Sequence, residues 1–372
     1  MKPLDDVCVL DFSTLLPGPF ASLMLAEAGA TVIKIERLGR GDEMRTYEPK
    51  LGADSTNFHL LNAGKQSIAI DLKSADAFER LRPLIERADV VVEQFRPGVM
   101  GRLGLGFERL RGVNPRLIYC SITGWGQNGP KADTAAHDLN YMAETGLLGL
   151  TCGSDGAPVL PPVLAADLAG GALPAVVNIL LALRRRDRSG EGAYLDISMA
   201  DNLLPLVYWG LGEGFATGQW PSAGDALVTG GTPRYQIYRT ADGRYLAAAP
   251  LEDKFWSEFC TLIELPEPLR DPNADGGVVK AAIASLIGAR TAETWRSAFQ
   301  GRDVCCSIVA TLKEAVADPH FAARRLFARH LRAGDRSIPA LAVPIAGCFR
   351  SEGEIAAPLL GADTETLLAT KP

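Results

Sequence analysis

The 372-residue sequence is short of several features that whole function classes require. It has no basic excess: 38 Lys and Arg stand against 44 Asp and Glu, for a net charge of -6. That balance disfavours a general binder of nucleic-acid backbones, while leaving room for a few cations around one small anionic ligand. Histidine is scarce, with only His59, His137, His320 and His330, so few residues can carry imidazole chemistry. The 7 cysteines show no CxxC spacing, and adjacent Cys305 and Cys306 suit neither a metal site nor a structural disulfide. Buried, reduced thiols in a cytoplasmic protein are expected, with no metal. Asp5 and Asp6 interrupt the start of the chain, unlike a signal peptide. Long hydrophobic runs are absent too. The longest, 168–183, contains Pro174 and Asn178 and closes on Arg184, Arg185 and Arg186. It reads as a buried helix and is short for a membrane span.

What is present is the composition of a globular protein, 47% hydrophobic and 22% charged. At roughly 100–200 residues per domain, two domains are expected. Val7 to Leu10 is a short apolar run. Pro17, Gly18 and Pro19 then open a helical stretch over 20–28 that stops at Gly29, and Thr31 to Glu36 is β-branched. This β-α-β rhythm continues. Strands are expected at 67–70, 89–93 and 117–122, with a helix capped by Ser74 that runs to about Ala88 and another over 107–113. A parallel, Rossmann-like sheet follows. The dinucleotide fingerprint is nevertheless missing. The turn after the first strand, 13–19, reads STLLPGP, Gly101 to Gly106 has the wrong spacing, and no Walker A motif occurs. Nicotinamide and P-loop chemistry are unsupported.

Beyond residue 195 the pattern changes. Residues 196–211 read as helix, and 217–233 is rich in Gly, Ser, Thr and Pro. Tyr235 to Tyr238 and Arg244 to Ala248 flank Asp242 and Gly243, a strong hairpin signal. Helices are expected at 253–262, 277–287 and 291–299, and a β-like run at 341–345 that rejoins the first sheet. The expected division is a large Rossmann-like domain from 1–198 and 328–372, a small α+β domain over 225–327, and a linker over 199–224.

Three residues stand out for chemistry, each with a plain structural alternative. His137 follows the glycine-rich loop 123–130 and begins a helix, where it is either a capping residue or a reactive one. Asp167 stands at the start of the apolar helix, as an ordinary N-cap or as a desolvated general base. Gly170 and Gly171 weaken a helix that serves only packing. Glu252 follows the hairpin, as a first-turn acid or as a partner to another site residue. Arg37, Lys65, Lys73, Arg96 and Arg102 lie at strand ends or in adjacent loops, on a solvated face or around a phosphorylated ligand.

Several segments, in order, resemble the family III CoA-transferase superfamily of the CaiB/BaiF type. They are Asn62 to Lys73 (NAGKQSIAIDLK), Arg96-Pro97-Gly98, Arg102 to Gly106, Gly124 to Pro130, Gly190 to Gly192 and Asp196. The resemblance covers nearly the whole chain. It implies a large Rossmann-like domain built from both chain ends, a smaller second domain, and an interlocked homodimer. It also implies an acyl-CoA substrate, with coenzyme A as part of that substrate and no permanently bound cofactor.

Two chemistries compete within the superfamily. Transferases use a catalytic Asp at the position of Asp167. Racemases of the alpha-methylacyl-CoA type add a His in a G-H-D-x-N-Y segment, and Ala136 to Tyr141 (AHDLNY) matches all but its first residue. Leu164 to Gly171 resembles the racemase L-x-x-D-F-x-G-G, and Ala249 to Trp256 retains the Glu of a third racemase segment as Glu252. The resemblance therefore implies His137, Asp167 and Glu252 as catalytic. It implies Arg37, Leu72, Lys73, Arg96, Arg102, Asp138 and Tyr141 as CoA-binding. Two departures matter: Val228 to Pro233 lacks the racemase Asp, and 41–61 resembles transferases more than the shorter racemase version, so the substrate can differ from a branched fatty acyl chain and a transferase using Asp167 stays open. Inverting an α-carbon requires one base on each face, His137 and Asp167, with Glu252 orienting the His. Free N–H groups at the helix beginning near Asp167 are expected to hold the enolate oxygen. A transferase has no need of His137, which favours racemisation.

Overall fold

The computed structural model describes residues 2–153 and 155–369, in two compact units. The first comprises 1–145, 162–206 and 319–372, and the second 146–161 and 207–318.

The first unit is built on β1 (Cys8–Asp11), α1 (Pro17–Glu27), β2 (Thr31–Glu36), β3 (Gln66–Ala69), α2 (Ala77–Arg87), β4 (Val90–Glu93), α3 (Val99–Arg102), α4 (Phe107–Val113), β5 (Ile118–Thr123), α5 (Asp138–Glu144), α6 (Leu173–Ser189) and β6 (Ala193–Ser198). Its six strands run parallel in the order β3-β2-β1-β4-β5-β6. This is a doubly wound sheet, whose order reverses between β1 and β4. The inner strands β1, β2, β4 and β5 are almost wholly buried because helices cover both faces, whereas the edge strands β3 (QSIA) and β6 (AYLDIS) are only partly so. On one face Leu10, Ile33, Val91 and Tyr119 pack against Phe78, Leu81, Leu84 and Ile85 of α2. Ser74 is not the cap of α2. That position belongs to Asp76, whose side chain makes no capping bond and instead accepts from the Ser74 hydroxyl.

Charge is buried at the carboxyl ends of β1 and β2. Lys34 Nζ lies 2.9 Å from Asp42 Oδ2 and donates to the Ser13 carbonyl at 2.8 Å. Arg45 pairs with Glu36 at 2.7 Å. Lys65 Nζ reaches Asp11 at 3.2 Å, the Ser22 hydroxyl at 2.7 Å and Asn62 Oδ1 at 2.9 Å. Burial alone raises a carboxyl pKa, but Lys65 and Lys34 outweigh it and hold Asp11 at about 2. Lys65 is therefore committed to the interior, unlike the exposed Arg37, Lys73, Arg96 and Arg102.

The residues expected as one helix over 196–211 divide. Ala193–Ser198 forms the edge strand β6, 201–207 is a 3₁₀ turn, and helix α7 (Tyr208–Thr217) occupies much of the segment expected as a linker. Gly192 admits β6, since a Cβ there would lie 2.1 Å from the Leu117 carbonyl oxygen. The apolar helix is longer than its sequence run. A π-helical turn, Ala166–Ala172, leads into α6, making 24 residues with mean hydropathy 1.8 in the best window. Length and composition alone would let it cross a membrane, but Ala175, Val176, Ile179, Ala182 and Leu183 are buried and it packs on β5 and β6. Pro174 has no N–H for the Gly170 carbonyl, which accepts instead from Asn202 Nδ2 at 2.9 Å. The glycine pair has a packing cause: a Cβ on Gly170 would lie 2.4 Å from the Met199 carbonyl oxygen.

The second unit carries α7, a three-stranded antiparallel sheet of β7 (Gln236–Arg239), β8 (Tyr245–Ala248) and β9 (Cys306–Ile308), and helices α8 (Asp253–Leu262), α9 (Gly276–Gly288) and α10 (Ala292–Phe299). Leu246, Phe259, Ile283 and Trp295 form its core. The hairpin turns at Gly243, with φ of +77°.

The run 341–345, broken by Pro344, forms no strand and does not rejoin the large sheet. A separate sheet of β10 (His330–Ala333), β11 (Arg336–Pro339) and β12 (Glu354–Ile355) lies in this region. The C-terminal segment still completes the large unit. The Asp363 carboxylate and the Thr364 hydroxyl, at the start of α11 (Thr364–Leu368), accept from the Ser67 and Ala69 N–H groups at 2.9 Å each. Side chains thus satisfy donors that edge strand β3 would otherwise expose. All seven cysteines are free. Cys120 and Cys260 are buried as expected, whereas Cys152, Cys305 and Cys348 are exposed.

Candidate active site

In a doubly wound sheet the crevice opens at the carboxyl ends of the strands, where the order reverses. Here the loop after β1 and the loop after β4 flank that point. Leu15, Leu16 and Pro17 from the first, and Gln94 to Pro97 from the second, line a cavity of about 410 Å³. The Gly18 N–H donates to Gln94 Oε1 at 3.0 Å and ties the two loops together. The tight dinucleotide turn is replaced by Pro17-Gly18-Pro19 at the head of α1.

His137, Tyr141 and Asp167 line this same cavity, with Arg96. His137 is exposed and precedes α5, its backbone N–H donating to Asn140 Oδ1 at 3.0 Å. Tyr141 is buried and donates to the Ala136 carbonyl at 2.9 Å. Its ring packs edge-on against Trp125 at 5.1 Å, and a Cβ on Gly124 would lie 2.2 Å from its hydroxyl. The loop glycine thus makes room for the tyrosine.

Asp167 lies inside the π-helical turn and is not an N-cap. Its backbone N–H donates to Asp138 Oδ1 at 3.0 Å. Burial, and then the charge of Asp138, raise the Asp167 carboxyl to about 7. A carboxyl held there exchanges protons readily at neutral pH. The N–H groups expected to hold an enolate oxygen are occupied, that of Asp167 by Asp138 and that of Leu168 by the Leu164 carbonyl at 3.0 Å. Asp138 is buried and sets the position and charge of Asp167, and it does not line the cavity.

A second cavity, of about 380 Å³, takes in Arg37, Leu72 and Lys73. Phe95 lines both cavities. Glu36 and Asp42 also line the second, but their charges are engaged by Arg45 and Lys34. Arg37 and Lys73 are exposed. Arg102 is exposed as well and lines neither cavity. Glu252 belongs to the second unit, exposed at the N-cap of α8 without a capping bond from its side chain.

Some cavity residues carried no signal in the sequence. Gln94 and Phe95 face the crevice because β4 ends beside it, whereas Thr123 and Trp125 belong to the glycine-rich loop that the sequence did mark. One detectable cue was an acid at the end of a buried apolar strand: Glu93 closes VVVE and is 4% exposed.

The family model described as CoA-transferase family III matches residues 4–364. Among curated proteins, the chain is 36% identical to the alpha-methylacyl-CoA racemase of Mus musculus, over 87% of this chain and 82% of that one. It is 33% identical to the acetyl-CoA:oxalate CoA-transferase of Acetobacter aceti, over 93% and 90%. Among solved structures, a CAIB/BAIF family protein from Brucella suis superposes with a TM-score of 0.83 at 28% identity, covering 99% of each chain.

Proposed function

The chain belongs to CoA-transferase family III, and from that premise we propose that it is an acyl-CoA racemase or epimerase, inverting the α-carbon of a 2-methylacyl-CoA thioester by two-base 1,1-proton transfer. One observation carries this reading: His137 and Asp167, from separate elements, open on one cavity at the reversal point of the sheet. One base removes the α-proton and the other returns a proton to the opposite face. Asp167, with its carboxyl near 7, serves in either protonation state. Glu252 orients and supports the charge of His137, a role carried by the resemblance of its segment. Coenzyme A arrives as part of the substrate: Arg37, Leu72, Lys73, Arg96 and Tyr141, which line the two cavities, are assigned to its binding, and Arg102 and Asp138, which line neither, are assigned by resemblance alone.

The competing reading is a CoA-transferase that moves CoA between carboxylic acids through Asp167. The carboxyl that opens on the cavity also suits a nucleophile, which keeps this reading in play. His137 discriminates, since a transferase has no use for it. In deuterated water the enzyme is expected to exchange the α-proton of a 2-methylacyl-CoA with no second acid present. No exchange, together with CoA appearing on an added carboxylate, overturns the racemase in favour of the transferase.

An interlocked homodimer in the cytoplasm completes the proposal. Val177, Leu180 and Leu181 form an exposed apolar stripe on α6, a surface that a partner chain would cover. Sedimentation giving a monomer overturns the dimer.

A further inference from the structure

Glu93 is a buried acid that the proposed chemistry does not use. It ends β4, and its two oxygens have separate tasks. Oε1 accepts from the Ser121 hydroxyl on neighbouring β5. Oε2 accepts from the Phe95 backbone N–H at 2.8 Å. The carboxylate therefore grips its own chain two residues on, where β4 turns into the loop that forms the crevice. Phe95 lines both cavities of the site, and Arg96 lines the one shared by His137 and Asp167. Arg96 and Glu93 also both line a third cavity, of about 650 Å³.

We propose that Glu93 is a positioning residue of the acyl-CoA site, holding Phe95 and Arg96 in their binding geometry through the bond to the Phe95 N–H. The inference rests on the acyl-CoA reading above. An ionised acceptor makes the stronger bond to an N–H, so the grip is tightest when Glu93 is charged. Burial raises the Glu93 carboxyl to about 7, opposed by the bonds from Ser121 and Phe95 and aided by Asp196. The surrounding groups are Tyr119 and Cys120 on β5, Tyr194 and Asp196 on β6, Glu108 and Arg109 on α4, and Arg96 in its own loop. Protonation of Glu93 as pH falls through about 7 slackens the loop and weakens CoA binding.

Asp167 titrates in the same range, so the test removes it. Calorimetry measures the Kd of free CoA from pH 6 to pH 8.5 on Asp167→Asn and on Asp167→Asn with Glu93→Gln. The 3′-phosphate of CoA titrates equally in both. Asp167→Asn is expected to lose affinity about fivefold more than the double variant between pH 8 and pH 6, because only it exchanges a charge-assisted bond for a neutral one. Ser121→Ala, in the Asp167→Asn background, removes a bond that holds the Glu93 pKa down and moves the inflection to higher pH. Tight binding with the same pH dependence in all three variants overturns the proposal alone. Failure of the wild-type protein to bind CoA overturns the acyl-CoA reading, and this proposal with it.

Discussion

Asp138 Oδ1 accepts the backbone N–H of Asp167 at 3.0 Å, and the charge on Asp138 adds to burial in lifting the Asp167 carboxyl to about 7. One buried acid thus places a second and tunes it. Removing that charge while keeping the acceptor separates the two effects. Asp138→Asn is expected to shift the Asp167 inflection in the pH–rate profile to lower pH. An unmoved inflection shows that burial alone sets the value.

His137→Ala and Asp167→Asn should each reduce inversion at least ~10²-fold, the scale of a lost general acid or base. Chiral analysis of the product measures it. Full inversion by His137→Ala overturns the two-base scheme. Glu252→Gln is expected to reduce inversion less, since the role proposed for Glu252 is to orient His137 and not to move the proton itself.

Asp167→Asn should also stabilise the fold. The folded pKa of about 7 lies above the ordinary 3.8, so the native state binds the extra proton between those values. Its stability falls as pH rises toward 7 and the buried charge must form. The melting temperature of Asp167→Asn is therefore expected to exceed that of the wild type most at pH 8, and the gap to shrink toward pH 4. A constant gap contradicts the assignment.

Lys65 is interior, and Lys65→Met removes the ion-pair partner of buried Asp11. The loss expected for a broken buried pair is ~3–5 kcal/mol by chemical denaturation. Asp11, held at about 2, gives the opposite pH signature to Asp167. Its contribution is complete above the ordinary 3.8 and is lost as pH falls toward 2. CoA affinity of the folded Lys65→Met protein should match the wild type. A selective loss of affinity would return Lys65 to the ligand-binding cations.

Arg37→Ala is expected to raise KM for an acyl-CoA several-fold with kcat little changed, because Arg37 lines the second cavity, away from His137 and Asp167. Steady-state kinetics decide it, and an equal fall in kcat instead places Arg37 in the chemistry.

The strands β1, β2, β4 and β5, the helix α4 and the hairpin of the second unit were legible from local sequence. An apolar run between turn signals has one stable use in a sheet covered on both faces, and Asp242-Gly243 has one use between two such runs. His137 and Asp167 were legible as chemical candidates by type and context. Other features depended on contacts between distant residues. Ala193–Ser198, read partly as helix from the sequence, is a strand in parallel register along the edge of β5. Lys65 resembled its neighbouring cations until Asp11, 54 positions away, was seen to bind it. Beside the π-helical turn around Asp167, the Gly170 carbonyl that Pro174 leaves free is satisfied by Asn202, 32 positions away. The sequence by itself determined which residues could do chemistry, since that follows from side-chain type. Only the tertiary structure decided which of them share a cavity and that the Asp167 carboxyl is raised, because burial and neighbouring charge are properties of space and not of chain position.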